Sequence, residues 1–164
     1  MEDSIVYFIY GVLFLYLLFL AYVISTNAKK QQKIREQMCG LANNSLEMTP
    51  AEFFEMKSYS VGGRGNKSYA RTMNFAGVYI LHNKTKDLYY VGQGKAVLDR
   101  VNHHFSGRGN GAVYADYKYG DFFTIKMIKL ENSGFYTLNE LERNTIAYYD
   151  AYNKGYNRTR GNRG

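Results

Sequence analysis

The sequence predicts an α+β fold, in which a three-stranded antiparallel sheet flanked by helices follows a single transmembrane helix. An uncharged run of twenty residues near the N-terminus predicts the transmembrane helix. Three later runs rich in β-branched and aromatic residues predict the strands, and segments with apolar residues at helical spacing or with capping signals predict the helices. A chain of 164 residues has room for one ordinary domain and an appendage.

The run from Ile5 to Ile24 predicts a membrane anchor, because a helix of this length spans the roughly 30 Å hydrocarbon layer. A cleaved signal peptide is the alternative, but Glu2 and Asp3 stand where such a peptide carries basic residues. Lysine and arginine beside a span stay on the cytoplasmic side. The run is followed by Lys29, Lys30, Lys33 and Arg35. We therefore expect a single-pass protein of the cell membrane, with residues 1–26 as the anchor, the N-terminus outside and the C-terminal domain in the cytoplasm.

Composition excludes several classes of protein. Charged residues make up 21% of the chain, too many for a polytopic membrane protein, and aromatic residues make up 16%, too many for a disordered chain. The single cysteine, Cys39, excludes an intramolecular disulfide and a cysteine-rich zinc site. Leaving Glu2 and Asp3 aside, 21 basic residues stand against 12 acidic ones, and this net charge of +9 attracts a polyanion such as nucleic acid or anionic lipid.

Residues 27–72 are predicted to form a cytoplasmic connector of helix and loop. The anchor helix is expected to continue to about Gly40. Thr49-Pro50-Ala51-Glu52 combines a capping box with proline at the first helical position, which predicts a short helix to about Lys57. The glycine-rich segment VGGRGNKS then predicts a mobile loop.

Residues 73–164 are predicted to form the compact domain, with the element order β-β-α-α-β-α. AGVYIL and LYYVG, on either side of the polar turn 83–87, predict a hairpin. AVLDRVNHHF predicts a helix, residues 112–118 a second short helix, and FFTIKMIKL the third strand. Thr137-Leu138-Asn139-Glu140 is another capping box, and its helix is expected to run to about Tyr152.

The predicted hairpin carries two tyrosine motifs. Ten residues separate Gly77-Val78-Tyr79 on the first strand from Tyr90-Val91-Gly92 on the second. Arg100 follows Tyr90 by ten positions, and His104 follows four positions later. This pattern resembles the GIY-YIG nuclease family, with valine in place of isoleucine in both halves.

The resemblance covers roughly residues 75–161. Glu142 stands fifteen residues before the asparagine of a Gly155-Tyr156-Asn157 turn, and Lys118-Tyr119-Gly120 precedes the third strand, as in the family. Glu140 competes with Glu142 for the acidic position, but Glu140 falls where a capping box requires it. We therefore assign Glu142. Without the joint agreement of these spacings, the tyrosines would be ordinary strand residues.

The resemblance implies a role for each of these side chains. Tyr79 would act as the general base and pass its proton to His104, and Tyr90 would position the water or the phosphate. Arg100 is able to hold two non-bridging phosphate oxygens at once. Glu142 would be a ligand of Mg²⁺ (or Mn²⁺), because a hard cation binds a carboxylate and keeps most of its waters.

Two assignments stay open at this stage. The general base is either Tyr79 or His104, and Asn157 either fixes the final turn or binds the nucleic-acid backbone. Some family members carry a second histidine after the first helix, whereas this chain has none there. Its candidate substitutes are Tyr114, Tyr117 and Lys118.

The sequence favours a membrane-anchored, metal-dependent endonuclease that hydrolyses DNA at the cytoplasmic face, with low sequence specificity, directed against incoming phage or transferred DNA. The first alternative is a catalytically inactive module of this type that binds nucleic acid at the membrane. The second is a small membrane protein whose anchor pairs with a partner's helix. Nucleic-acid contacts are predicted for five basic residues, of which the last four crowd the C-terminus without an acidic neighbour: Lys118, Lys154, Arg158, Arg160 and Arg163.

Overall fold

The computed structural model describes residues 2–61, 67–68 and 72–162, and it divides into two compact units, residues 1–37 and 38–164. The first unit is helical throughout its described length, as part of helix α1 (Glu2–Asn44). Almost every side chain of its apolar segment 5–24 is exposed. With a mean hydropathy of 2.3 over its most apolar stretch, this helix is long and apolar enough to cross a membrane. Helix α1 ends four residues beyond the expected position at Gly40.

The second unit is built on an antiparallel sheet of four strands, not the three predicted. The strands are β1 (Glu47–Met48), β4 (Gly77–Asn83), β5 (Leu88–Gly94) and β6 (Phe123–Lys129), in the spatial order β1-β6-β4-β5. The predicted hairpin is confirmed as β4 and β5. The Asn83 side chain closes its turn by accepting hydrogen bonds from the backbone N–H groups of Thr85 and Lys86.

The additional strand comes from the segment predicted as a connector. Strand β1 pairs with β6 through Glu47 opposite Lys126 and Met48 opposite Ile125. Two-residue strands carry too little pattern to be predicted from sequence. The glycines of VGGRGNKS lie outside the described residues, but the backbone on either side pairs as β2 (Ser60–Val61) and β3 (Lys67–Ser68).

The helices of the second unit agree with the prediction except at one end. They are α2 (Pro50–Ser58), with its capping box confirmed, α3 (Val97–Phe105), α4 (Gly111–Lys118) and α5 (Leu138–Tyr148). Helix α5 stops short of Tyr152 because Asp150 adopts a left-handed backbone conformation, with φ of 50°. Its predicted capping box is half formed. Thr137 caps the Glu140 N–H, but the Glu140 carboxylate accepts from the Tyr136 N–H.

Helices cover both faces of the sheet. On one face, buried residues of β4, β6 and α3 form a single core with Phe53 of α2 and Val113 of α4. On the other face α5 packs against β4 and β5. Phe53 is fully buried, so its replacement by alanine costs about 3–5 kcal/mol of stability. The core therefore includes residues from both sides of position 72.

Candidate active site

A polar cavity of about 380 Å³ opens where α3 meets the loop that follows it. Three arginines line it, and no acidic side chain does so within the described part of the chain. Arginine forms paired hydrogen bonds with phosphate oxygens and keeps its charge at any physiological pH. The cavity therefore suits an anion with several phosphate oxygens. Its lining consists of Tyr90, Arg100, His104, Arg108, Gly109, Asn110, Gly111 and Arg158.

Helix α3 brings Arg100 and His104 to the cavity together. They are four positions apart and so lie on one helical face, as predicted. Arg100 is exposed, whereas His104 is only 1% exposed. A side chain at Gly94, where β5 ends, would place its Cβ 2.8 Å from Arg100 Cγ. The glycine therefore leaves room for the arginine to extend beside the strand.

Tyr79 lies behind the cavity wall, in the core, and is fully buried. In the β4–β5 pairing it stands opposite Gly92, where any Cβ would overlap the Tyr79 ring. The second glycine of the motif is therefore required by the close approach of the first tyrosine. The Tyr79 hydroxyl lies 3.0 Å from His104 Nε2, and this contact joins the sheet to α3.

Burial keeps this tyrosine and histidine neutral. It raises the pKa of the Tyr79 hydroxyl well above its usual value, and the nearby Arg100 charge opposes that rise only in part. Burial also lowers the pKa of His104 to about 4, and the Arg100 charge acts in the same direction. The neutral forms are therefore favoured at pH 7, and an additional positive charge close to Tyr79 would favour its phenolate.

Tyr90 is the tyrosine that lines the cavity. Its ring centroid lies 4.6 Å from that of His104 and 6.2 Å from that of Tyr79. Burial raises its hydroxyl pKa, and the Arg100 charge opposes the rise. The two motif tyrosines thus have different environments, one enclosed by the core and the other at the boundary with solvent.

The profile of the GIY-YIG catalytic domain matches residues 75–157, just over half of the chain. The chain belongs to the GIY-YIG family. No curated protein and no solved structure shows significant similarity to it. The resemblance drawn from the motif spacings is thereby confirmed, and so is membership of a family of nucleases.

Glu142, the acidic residue of the GIY-YIG pattern, projects from α5 and does not line the arginine cavity. Its Oε2 accepts a 3.0 Å hydrogen bond from Gln93 Nε2 and a 3.4 Å bond from the Asn162 N–H. Burial raises the pKa of Glu142, and these hydrogen bonds oppose the rise. The Glu142 charge also contributes to the raised pKa of Tyr90, so it acts across the edge of β5.

The single carboxylate of Glu142 suits a cation that takes few ligands from the protein. The described residues contain no group of three histidine, cysteine or acidic side chains placed to hold a metal ion. A single carboxylate suits Mg²⁺, which keeps several of its waters, and a divalent charge would offset the cost of burying the carboxylate. Glu142 is therefore the residue that would hold such an ion, and its role as a metal ligand stays a prediction.

Asn157 pairs with the backbone of β5. Its side chain accepts from the Val91 N–H and donates to the Val91 carbonyl, each at 2.8 Å. The neighbouring Tyr156 hydroxyl donates to Asp116 Oδ2 at 2.6 Å. Of the two roles considered for Asn157, this geometry corresponds to fixing the final turn.

The predicted nucleic-acid residues are dispersed. Arg158 lines the cavity, whereas Arg160 lies over the Tyr152 ring at 5.2 Å. The last eleven residues contain no acidic residue, but in the folded chain Lys154 Nζ lies 4.0 Å from Oδ2 of Asp150, which precedes them. Lys118 is exposed on α4, and Arg163 lies outside the described residues.

The loop after α3 supplies cavity residues that the sequence analysis did not assign. Arg108 and Asn110 belong to the run SGRGNG, which lies between the two predicted helices of this region. The sequence did contain one signal for Arg108 as a site residue. It is a basic residue between two glycines, directly after a helix that carries two site residues. The candidate substitutes for a second histidine do not line this cavity: Tyr117 packs edge-on against Phe105 in the core, and Tyr114 and Lys118 are likewise absent from the described lining.

Proposed function

We propose that the protein is a membrane-anchored, metal-dependent endonuclease that hydrolyses phosphodiester bonds of DNA at the cytoplasmic face. The observation that carries this proposal is the convergence of Arg100, Arg108 and Arg158 on one cavity walled by Tyr90 and His104. A DNA strand presents successive phosphates, so three cations in one cavity match more than one of them. Membership of a nuclease family supports the same conclusion.

The chain's own residues divide the work by position. Arg100 grips the non-bridging oxygens of the scissile phosphate and opposes the negative charge that grows during attack. Arg108 and Arg158 hold the flanking phosphates. Tyr90, at the solvent boundary, orients the attacking water. A divalent cation held at Glu142 would stabilise the charge on the departing oxygen.

The activating group for the water is one of the two buried partners, Tyr79 and His104. Both are neutral at pH 7, and both lie within reach of the Arg100 charge. A divalent cation held at Glu142 would supply positive charge to the site, and positive charge near Tyr79 favours its phenolate. The rate of cleavage should therefore rise with pH over the range in which the hydroxyl of the activated enzyme ionises.

The decisive test is a cleavage assay with the full chain in detergent micelles, DNA, and Mg²⁺ or Mn²⁺. We expect cleavage by the wild type and loss of at least roughly a hundredfold in kcat for Glu142→Gln, by analogy with loss of one electrostatic contact to a transition state. Glu140→Gln is the matched control, because it changes a carboxylate to an amide two positions away on the same helix and should keep activity. Equal activity of both variants would refute the role of Glu142, and retained cutting by Arg100→Ala as well would refute the proposal.

A non-cleaving DNA-binding module is favoured by one observation, the complete burial of Tyr79. Such a module would bind DNA with a salt-dependent affinity and leave it intact at every divalent ion concentration. The same assay therefore separates the two functions when binding is measured in parallel.

The membrane anchor and its orientation are part of this proposal. The exposure of the apolar side chains along 5–24 supports it, since an apolar surface of that extent needs a lipid or protein cover. In right-side-out vesicles, added protease should leave the C-terminal domain intact, and in inverted vesicles it should digest the domain. The opposite pattern would reverse the orientation.

Tethering would place the domain where phage or transferred DNA enters the cell. Cells with the anchored chain should restrict incoming DNA more strongly than cells with equal amounts of a chain lacking residues 5–24. Equal restriction by both forms would refute a role for the tether.

A further inference from the structure

The glycine-rich loop after α3 contacts His104 at the ring nitrogen that does not face Tyr79. The Asn110 backbone N–H donates to His104 Nδ1 at 3.0 Å. A Cβ at Gly109 would lie 2.6 Å from Nδ1 and 2.7 Å from Cγ, so only glycine lets the loop approach the ring this closely. The loop is thus packed on the imidazole edge.

This contact determines which nitrogen of His104 carries the proton. A backbone N–H is only a donor, so Nδ1 must accept and carries no proton of its own. A neutral imidazole then has its proton on Nε2. Since burial keeps the pKa of His104 near 4, the ring is neutral at physiological pH. Nε2 therefore donates to the Tyr79 oxygen, 3.0 Å away.

We propose that the Asn110 backbone N–H holds His104 as the Nε2–H tautomer, so that His104 donates a hydrogen bond to Tyr79 and does not accept its proton. His104 is then a positioning residue that stabilises negative charge on the Tyr79 oxygen. The tautomer itself does not depend on the proposed nuclease function, whereas its consequence for cleavage rests on that function.

The Tyr79 hydroxyl proton must then be directed elsewhere. Tyr90 and Arg100 also interact with this hydroxyl. Arginine has no acceptor, so Tyr90 is the one of these two that is able to receive a hydrogen bond from Tyr79. The Tyr79 hydroxyl hydrogen is thus directed towards Tyr90, on the side where the cavity opens, and in this arrangement His104 keeps its proton on Nε2.

The first experiment reads the tautomer directly by ¹⁵N NMR of the full chain in detergent micelles, labelled at histidine. His104→Gln identifies the signals of His104 among the three histidines. At pH 7 we expect an unprotonated Nδ1 and a protonated Nε2, and the reverse assignment would overturn the proposal. This readout needs no activity, so it holds even if the chain does not cleave DNA and the proposed function fails.

A pair of variants tests the backbone N–H. Asn110 has φ of −71°, which proline adopts, and the proline Cδ takes the place of the hydrogen that points at His104 Nδ1, so the loop also moves away from the ring in that variant. Asn110→Pro and Asn110→Ala both lose the side-chain cap of α4, but only the proline variant loses the N–H. We expect the wild-type tautomer in the alanine variant and a mixture with Nδ1–H in the proline variant. Identical spectra would overturn the role of the N–H.

The second experiment compares His104→Gln with His104→Leu in the cleavage assay. The glutamine amide keeps a donor and an acceptor but cannot take up a proton, whereas leucine has neither group. If His104 acts as a donor, the leucine variant should lose roughly ten to a hundred times more kcat than the glutamine variant, the range expected for a hydrogen bond to a charged group. Equal loss in two variants with unchanged melting temperatures would overturn the proposal.

Discussion

Acidification from pH 7 to pH 5 should destabilise the domain through His104. The ordinary pKa of histidine is 6.5, and burial lowers that of His104 to about 4 in the folded chain. Between these values the unfolded chain binds a proton that the folded chain rejects. The contribution of the neutral His104 to the free energy of unfolding is therefore fully present well above pH 6.5, and it is lost as the pH falls towards 4.

The magnitude follows from the two pKa values. A pKa difference of about 2.5 corresponds to roughly 3 kcal/mol once both states are protonated, at about 1.4 kcal/mol for each tenfold change. At pH 5 the unfolded histidine is almost fully protonated and the folded one almost fully neutral. The loss between pH 7 and pH 5 is then about 2 kcal/mol.

The assay is urea unfolding of the full chain in micelles at pH 7 and pH 5, followed by the near-ultraviolet dichroism of its tyrosines. Burial also lowers the pKa of His82, so the wild type alone does not isolate His104. His104→Gln removes one titrating group and keeps the others. The fall in unfolding free energy should be about 2 kcal/mol larger in the wild type than in this variant. Equal falls would refute the assignment of a neutral, buried His104.

Three further outcomes follow from the geometry. Gly92→Ala forces a Cβ into the ring of the first motif tyrosine and should cost about 1–3 kcal/mol of unfolding free energy, whereas Gly40→Ala, with open space around it, should not destabilise the chain. Asn157→Ala removes both hydrogen bonds to the β5 backbone and should cost about 1–3 kcal/mol in urea unfolding, against less than about 0.5 kcal/mol for the exposed Asn153→Ala. The logarithm of the DNA-binding constant falls linearly with the logarithm of salt concentration, and Arg108→Ala should make this slope shallower by about one. An unchanged slope would show that Arg108 contacts no phosphate.

The elements with strong local signals were predicted from the sequence. The hairpin was predicted because two runs rich in β-branched and aromatic residues flank a polar turn, and α2 because Thr49-Pro50-Ala51-Glu52 specifies a helix start. Elements that form only because a distant segment pairs with them were not predicted from the sequence. Strand β1 is two residues long and exists because β6 pairs with it. The end of α5 was placed too late, because the left-handed turn at Asp150 carries no strong residue signal.

The residues of the candidate site also fall into those that the sequence identified and those that only the structure added. The spacings identified Tyr79, Tyr90, Arg100 and His104, and the structure brings the last three to one cavity with Tyr79 directly behind. It also adds Arg108, whose one sequence signal was its position between two glycines directly after α3. The roles of the assigned residues stay predictions, because a role depends on substrate and cation as well as on position.

By itself, the sequence determined the apolar N-terminal helix, the α+β class, the family and the identities of the motif residues. Each of these depends only on the composition of a local run or on the spacing of residues along the chain. Only the tertiary structure decided which atoms meet. It placed half-buried Tyr90 at the cavity and Tyr79 in the core, and it brought three arginines to one cavity. It also brought the Asn110 N–H to His104 Nδ1. Burial and hydrogen-bond direction set the charge states of these groups, and both arise from packing in three dimensions.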